Sequence, residues 1–226
     1  MSKTAPWKTL LENTLNENKD KSKDIYNVAV GTVEANRPRV RMMVHRGFAP
    51  ESDILLTTTD IRMNKVNQFH QSFTPNSGSP LEYVFWVDPA MRQFRVQANA
   101  YLLPSPSALK QTNPTPLSHY LIQSGIDWEQ QRVDIYNQMS RTLRAAFAKP
   151  FPPGSHRTWN ENLDSYPDKV DADPNDKWYQ DGLHNFVLVI IDPVEVDYCD
   201  LQTQPNVRKI WRKDANKGWT EEDVHP

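Results

Sequence analysis

Arg39-Val-Arg-Met-Met-Val-His-Arg46, then Leu55-Leu-Thr-Thr-Thr-Asp60, Arg62-Met-Asn-Lys65 and Arg92-Gln-Phe-Arg95 form the stretch on which the reading of this chain turns. Basic and hydroxyl side chains recur in it at the ends of β-like runs. Arg offers a planar fork that matches an oxyanion bidentately, and Lys adds a compact point charge. Backbone N–H groups at a helix start would complete such a cradle. Pro38 to Leu103 is therefore expected to hold a local anion site built on strands.

Working outward, Tyr26–Val33 and Val40–Arg46 are β-rich and flank the polar turn Glu34-Ala-Asn-Arg-Pro38, which reads as a hairpin. Ile54–Thr58 follows at once, so a three-strand meander is expected. Asp60 is read as the N-cap of a helix running to about Gln71, with Ile61, Val66 and Phe69 on its apolar face. Leu81–Val87 and Met91–Leu103 make a second hairpin through Asp88-Pro-Ala90. In its second strand Gln93, Arg95, Gln97, Asn99 and Tyr101 alternate with Phe94, Val96, Ala98, Ala100 and Leu102, giving one polar and one core face.

The flanks are helical on one side and mixed on the other. Trp7–Asn16 has an apolar face of Trp7, Leu10, Leu11 and Leu15, with Thr4 or Ala5-Pro6 at its start. Asp127-Trp-Glu-Gln130 reads as a capping box opening one helix that reaches Ala148, where Pro150 ends it. Phe151–Leu183 is polar and proline-rich, and a structureless excursion of that length suggests a functional or partner-facing role, such as the roof of a pocket. Strand patterns return at Phe186–Ile191, Val194–Leu201, Val207–Lys213 and Trp219. The fold class is α+β, mostly antiparallel, with the sheet closed or partly closed as a barrel and all 226 residues in a single domain.

Composition narrows the partners. A formal charge of −2 gives no global drive toward nucleic acid or an anionic membrane, so the basic residues must act locally. No apolar run approaches the roughly 18 residues of a membrane span. Cys199 is the lone cysteine, which excludes an internal disulfide, fits a reducing compartment and leads to a cytoplasmic expectation. The six histidines show no ligand spacing, and no metal site is expected. There is no nucleophile elbow, dinucleotide fingerprint or Walker loop.

Arg41-Met-Met-Val-His-Arg-Gly-Phe48, Thr58-Thr-Asp60, Arg62-Met-Asn-Lys65, Phe85-Trp86 and Arg92-Gln-Phe-Arg95 resemble, in order and spacing, the flavin-binding half of the pyridoxamine 5′-phosphate oxidase family. The likeness is to a divergent FMN-binding branch rather than to the vitamin B6 oxidase proper, and it spans nearly the whole chain. It implies an FMN-binding split β-barrel with flanking helices that forms a homodimer with FMN at the interface. By the same resemblance Arg41 is the first FMN arginine, Met42 and Met43 run beside the flavin ring, and Arg46 takes a lysine position. Thr58 and Thr59 touch the ribityl and ring region, Arg62, Asn64 and Lys65 hold the phosphate, and Gln93 hydrogen-bonds the flavin. A single phosphate cradle favours FMN over FAD.

The departures bear on chemistry. The B6 oxidase's C-terminal Arg-Leu-His-Asp-Arg segment has no counterpart; Asn206-Val-Arg-Lys-Ile-Trp211 stands there, with Arg208 as its one plausible cation. The family's Gln-Ser pair has no match in Ser140-Arg-Thr-Leu-Arg144. Arg208, Lys209, Arg212 and Lys213 read as solvated surface before a rebuilt clamp, so little oxidation of pyridoxamine phosphate is expected. No catalytic residue is singled out. Two functions stay open, an FMN-dependent oxidoreductase fed by a small-molecule electron donor and a non-enzymatic FMN store or sensor.

Overall fold

The computed structural model describes residues 5–226 apart from 76, 111–115, 157–164 and 215–216, so Thr4 and the middle of the long excursion lie outside the described residues. Eight strands form one sheet: β1 (Asn27–Glu34), β2 (Arg37–Val44), β3 (Leu55–Asp60), β4 (Ser79–Val87), β5 (Arg92–Leu103), β6 (Phe186–Asp200), β7 (Val207–Asp214) and β8 (Gly218–Val224). The order is β2-β1-β4-β5-β6-β7-β8, with β3 paired to β6, and every ladder is antiparallel. The expected meander is thus corrected. β3 takes its ladder from β6 and meets β2 and the chain after it through a few bonds, among them Arg46 N–H to Leu56 O (2.8 Å), Leu56 N–H to Gly47 O (2.9 Å) and the Thr57 hydroxyl to Val44 O (2.8 Å). Those few bonds close β1 to β6 into a barrel.

β6 explains this choice. Its unbroken apolar run is buried on both faces, as in strands covered on both sides. Val187, Val189 and Ile191 join the barrel core with Val28, Val30, Phe85, Phe94 and Val96, while Phe186, Leu188 and Ile190 face a second core under the helices. Only a central strand has that environment. At residues 97 and 98 of β5 the register shifts by a bulge against Pro193, the residue that cannot donate to a ladder.

Among the described residues six α-helices flank the barrel: α1 (Pro6–Asn18), α2 (Asn64–Ser72), α3 (His119–Gln123), α4 (Trp128–Gln138), α5 (Arg141–Ala148) and α6 (Lys177–Asn185). α1 buries Trp7, Leu11 and Leu15 in the barrel core, Trp7 packing its ring against Phe48 and Trp219. The single helix expected from Trp128 to Ala148 is two. Asp127 does cap the first through Gln130 N–H (2.9 Å), but Gln130 turns its amide to Asp134, and Ser140 accepts from Leu143 N–H (3.2 Å) to start a new helix. Arg144 is buried at that break and donates to the carbonyls of Asn137 (2.9 Å), Met139 (2.5 Å) and Val170 (3.0 Å), satisfying backbone groups the break exposes. The excursion is not structureless either, since α6 occupies its end. Gly182 lets α6 approach Tyr136, whose hydroxyl would collide with any Cβ there. Among the described residues no helix is long and apolar enough to cross a membrane.

Candidate functional site

A cleft of about 370 Å³ opens where β2, β3, the start of α2 and α5 converge. Its floor is Met42, Met43, Val44, Thr58 and Thr59, its charged lining is Arg46, Lys65 and Asp60, and its roof is Leu143, Ala146 and Phe147 of α5 with Pro153. Strand alternation would put neighbouring side chains on opposite faces, yet both Met42 and Met43 reach the cleft because it lies at the barrel's edge. Met43 is buried in the core and Met42 lies 63% exposed on the outer sheet face.

The cations of this cleft are poorly compensated. Lys65 Nζ meets only the Met63 sulfur (2.9 Å), a weak acceptor, and no carboxylate pairs with it among the described residues. Burial, reinforced by the nearby charge of Arg41, pushes its ammonium below the ordinary lysine range. Arg46 has a buried Nε with no hydrogen-bond partner, and burial lowers its guanidinium as well. A buried donor left unmade costs about 1–3 kcal/mol, more when charged. No side chain caps the start of α2 and no acidic residue sits in its first turn, so the helix adds its own partial positive charge beside Lys65. These groups fit a phosphate-bearing flavin: cations that no carboxylate ion-pairs among the described residues, and an apolar floor and roof.

The remaining candidates are placed nearby in different ways. Arg41 folds back over β1, donating to Val30 O (3.0 Å), Thr32 Oγ1 (2.7 Å) and Gln68 Oε1 of α2. Asn64 donates to Glu34 Oε1 (3.0 Å), whose carboxyl is held below the usual range by Asn64 and Arg39. Arg62 pairs bidentately with buried Asp60, at 2.9 and 2.6 Å, and donates to Lys149 O (2.6 Å) and Phe147 O (3.3 Å). Asp60 does not cap α2, whose N-cap is Met63; its carboxylate instead accepts Arg62 N–H (2.9 Å). Gln93 lies on the outer sheet face between Trp86 and Cys199 and does not line the cleft.

Sequence reasoning missed α5 as the roof. It assigned that task to the excursion, of which, among the described residues, Pro153 alone lines the cleft. The available signal was the apolar pair Leu143 and Phe147, one helical turn apart. Behind Arg46 sits a smaller cavity of about 300 Å³ bounded by His45, Tyr26, Gln138 and Met139. His45 is buried, with Nδ1 3.3 Å from the Tyr83 hydroxyl, and burial pushes its pKa down to about 3, so it is neutral at pH 7.

Comparison with known proteins agrees with this geometry. Residues 4–104 match the family described as pyridoxamine 5′-phosphate oxidase, FMN-binding domain. Over 228 aligned residues, covering 98% of each protein, the chain is 28% identical to pyridoxine/pyridoxamine 5′-phosphate oxidase 2 of Arabidopsis thaliana. The crystal structure of a pyridoxamine 5′-phosphate oxidase-related, FMN-binding protein from Nostoc punctiforme superposes with a TM-score of 0.76 at 25% identity, covering 99% of this chain and 100% of the other. PhzG from Burkholderia lata shares the fold, with a TM-score of 0.64 at 12% identity over 96% of this chain and 91% of its own.

Proposed function

We propose that this chain, whose residues 4–104 match the pyridoxamine 5′-phosphate oxidase FMN-binding domain, is a member of that split-barrel family and a cytoplasmic FMN-dependent oxidoreductase, working as a homodimer on a small-molecule electron donor. The observation that carries the reading is that Lys65 and Arg46 both line a largely apolar cleft while neither forms an ion pair with a carboxylate among the described residues. Lys65, aided by the start of α2, is placed to take the phosphate dianion. Met42, Met43 and Phe147 offer flat, polarizable walls to the ring, and Thr58 and Thr59 offer hydroxyls. Bound FMN supplies the hydride-accepting centre. The protein's part is to orient it, keep water from its apolar side and leave one face open to a donor.

The outer sheet face supports the homodimer. Val40 (71% exposed), Met42 and Val44 of β2, Val33 of β1 and Trp86 of β4 form an apolar band left exposed among the described residues. Met42 and Val44 belong both to this band and to the cleft wall, so a second copy seated on the band would complete the flavin site.

The test is anaerobic. FMN-loaded protein is mixed with a panel of amines, alcohols and reduced nicotinamides while flavin absorbance is followed. A donor-specific rate of bleaching supports the oxidoreductase; reduction by dithionite alone would make the protein a flavin store or sensor. Light scattering that finds a flavin-loaded monomer at micromolar concentration would remove the dimer.

A further inference from the structure

Arg62 was expected at the phosphate, but its guanidinium is already committed. Of its five N–H donors, Nε and one on Nη2 hold the two oxygens of Asp60, one on Nη1 holds Lys149 O, and the second on Nη2 reaches Phe147 O. Asp60 is only 3% exposed, so its charge has been taken from water and is matched by Arg62. The ion pair is thus internally neutral and offers little to an incoming dianion.

What it does offer is a grip on the roof. Phe147 and Lys149 are the C-terminal end of α5, where helix carbonyls have no partner within the helix and a cation is favoured. α5 has no basic residue in its own last turn. Arg62 supplies N–H donors to these carbonyls from more than 80 positions earlier in the chain, and Asn185 adds a second donor to Phe147 O (2.9 Å). One face of this same short helix places Leu143, Ala146 and Phe147 over the cleft.

We propose that Arg62 is a positioning residue that latches α5 over the flavin cleft, and not a ligand of the phosphate. This rests on the reading of the cleft as an FMN site. Phosphate recognition then falls to Lys65 with Arg46 and the start of α2, while Arg62 governs how firmly the ring end is covered.

Riboflavin, which has the ring and ribityl chain but no phosphate, separates the two roles. Full-length apoprotein and its Arg62→Lys and Lys65→Met variants are titrated with FMN and riboflavin. Arg62→Lys keeps the charge but cannot reproduce the fork, and it is expected to weaken both ligands together, leaving the FMN to riboflavin preference within about twofold of wild type. Lys65→Met is expected to lower that preference by about tenfold or more, the scale of one charge-assisted hydrogen bond. A fall in preference at Arg62→Lys comparable to that at Lys65→Met overturns the proposal. The double variant Asp60→Asn/Arg62→Met, which leaves no buried charge unpaired, serves if the single variant folds poorly. Hydrogen exchange judges the latch without any ligand. Residues 141–148 are expected to exchange faster in apo Arg62→Lys than in wild type, and unchanged protection overturns the proposal. A wild-type protein with no preference for FMN over riboflavin would instead sink the phosphate reading of the cleft, and the exchange result would still decide the latch.

Discussion

The cleft and the C-terminal strands both gather cations, but they treat them oppositely. At the cleft Lys65 and Arg46 have no carboxylate partner among the described residues. On β7 each cation is matched across the sheet: Arg208 by Asp197 (3.0 and 2.7 Å), Lys209 by Glu221 and Asp223, Arg212 by Glu195 and Glu222 (2.8 Å each), Lys213 by Asp192 (2.7 Å). Asp197 also takes Arg95 of β5. Strands can neutralise their own charges at little cost, since cross-strand neighbours stand opposite each other. A cation left unmatched in a half-buried cleft is costly unless something else brings the negative charge. The contrast separates a binding site from a structural ladder, although residue types and local density are much the same.

Removing Lys65 is the most direct attack on this contrast. Lys65→Ala should weaken FMN by about 1.5–3 kcal/mol, the worth of a hydrogen bond to a charged group. The apoprotein should lose little stability, because the ammonium forfeits only the weak Met63 sulfur acceptor. Flavin fluorescence titration together with thermal melting of the apoprotein checks both halves; a large drop in apo stability with FMN affinity intact would erase the distinction.

Acid should probe the cleft side earlier than the ladder side. His45 has its folded pKa depressed by burial from 6.5 to about 3, so between those values the unfolded chain binds more protons than the native one. Stability is then full above pH 6.5 and falls as pH drops, by up to about 1.4 kcal/mol per unit. Burial raises Asp197, but hydrogen bonds from Arg208 and Arg95 outweigh it and hold the carboxyl below its usual range, so its contribution is lost only at lower pH. Denaturant unfolding between pH 6.5 and 5 should show the slope in wild type and not in His45→Asn. An identical slope in the variant would place the proton elsewhere.

Much of this was legible in advance, and the failures have physical causes. Alternation exposed β5 because one of its faces is core and the other polar, and the ordered cations from Arg41 to Lys65 pointed to the cleft because they cluster at strand ends. The barrel closure was missed because strand periodicity is silent on partners: β3 looks like the third strand of a meander until β6, over 120 residues later, supplies its ladder with an unbroken apolar run buried on both faces. Ser140 sits inside an otherwise unbroken helical period, and nothing in that period says that its hydroxyl will cap a new helix. Arg62 and Lys65 are three positions apart and alike in charge. Only the structure shows that one faces Asp60 and the other an open cleft.

The smallest effect is expected where the sequence offered a replacement clamp. Arg208 and Arg212 do lie on one face of β7, as alternation requires, with Arg212 exposed and Arg208 partly so, but neither is a free cation, since each is held by carboxylates of β6 or β8. A dianionic substrate phosphate would have to displace Asp197 from Arg208, trading one charge-assisted contact for another with little gain. Arg208→Ala should therefore leave FMN affinity within about twofold of wild type. It should also leave unchanged any formation of pyridoxal phosphate, which is itself expected to be well below about one turnover per second, the low end of ordinary enzyme rates. Steady-state assays at saturating FMN measure both. Faster turnover that collapses in Arg208→Ala would mean that the ladder opens to substrate and that the cations of β7 belong with those of the cleft.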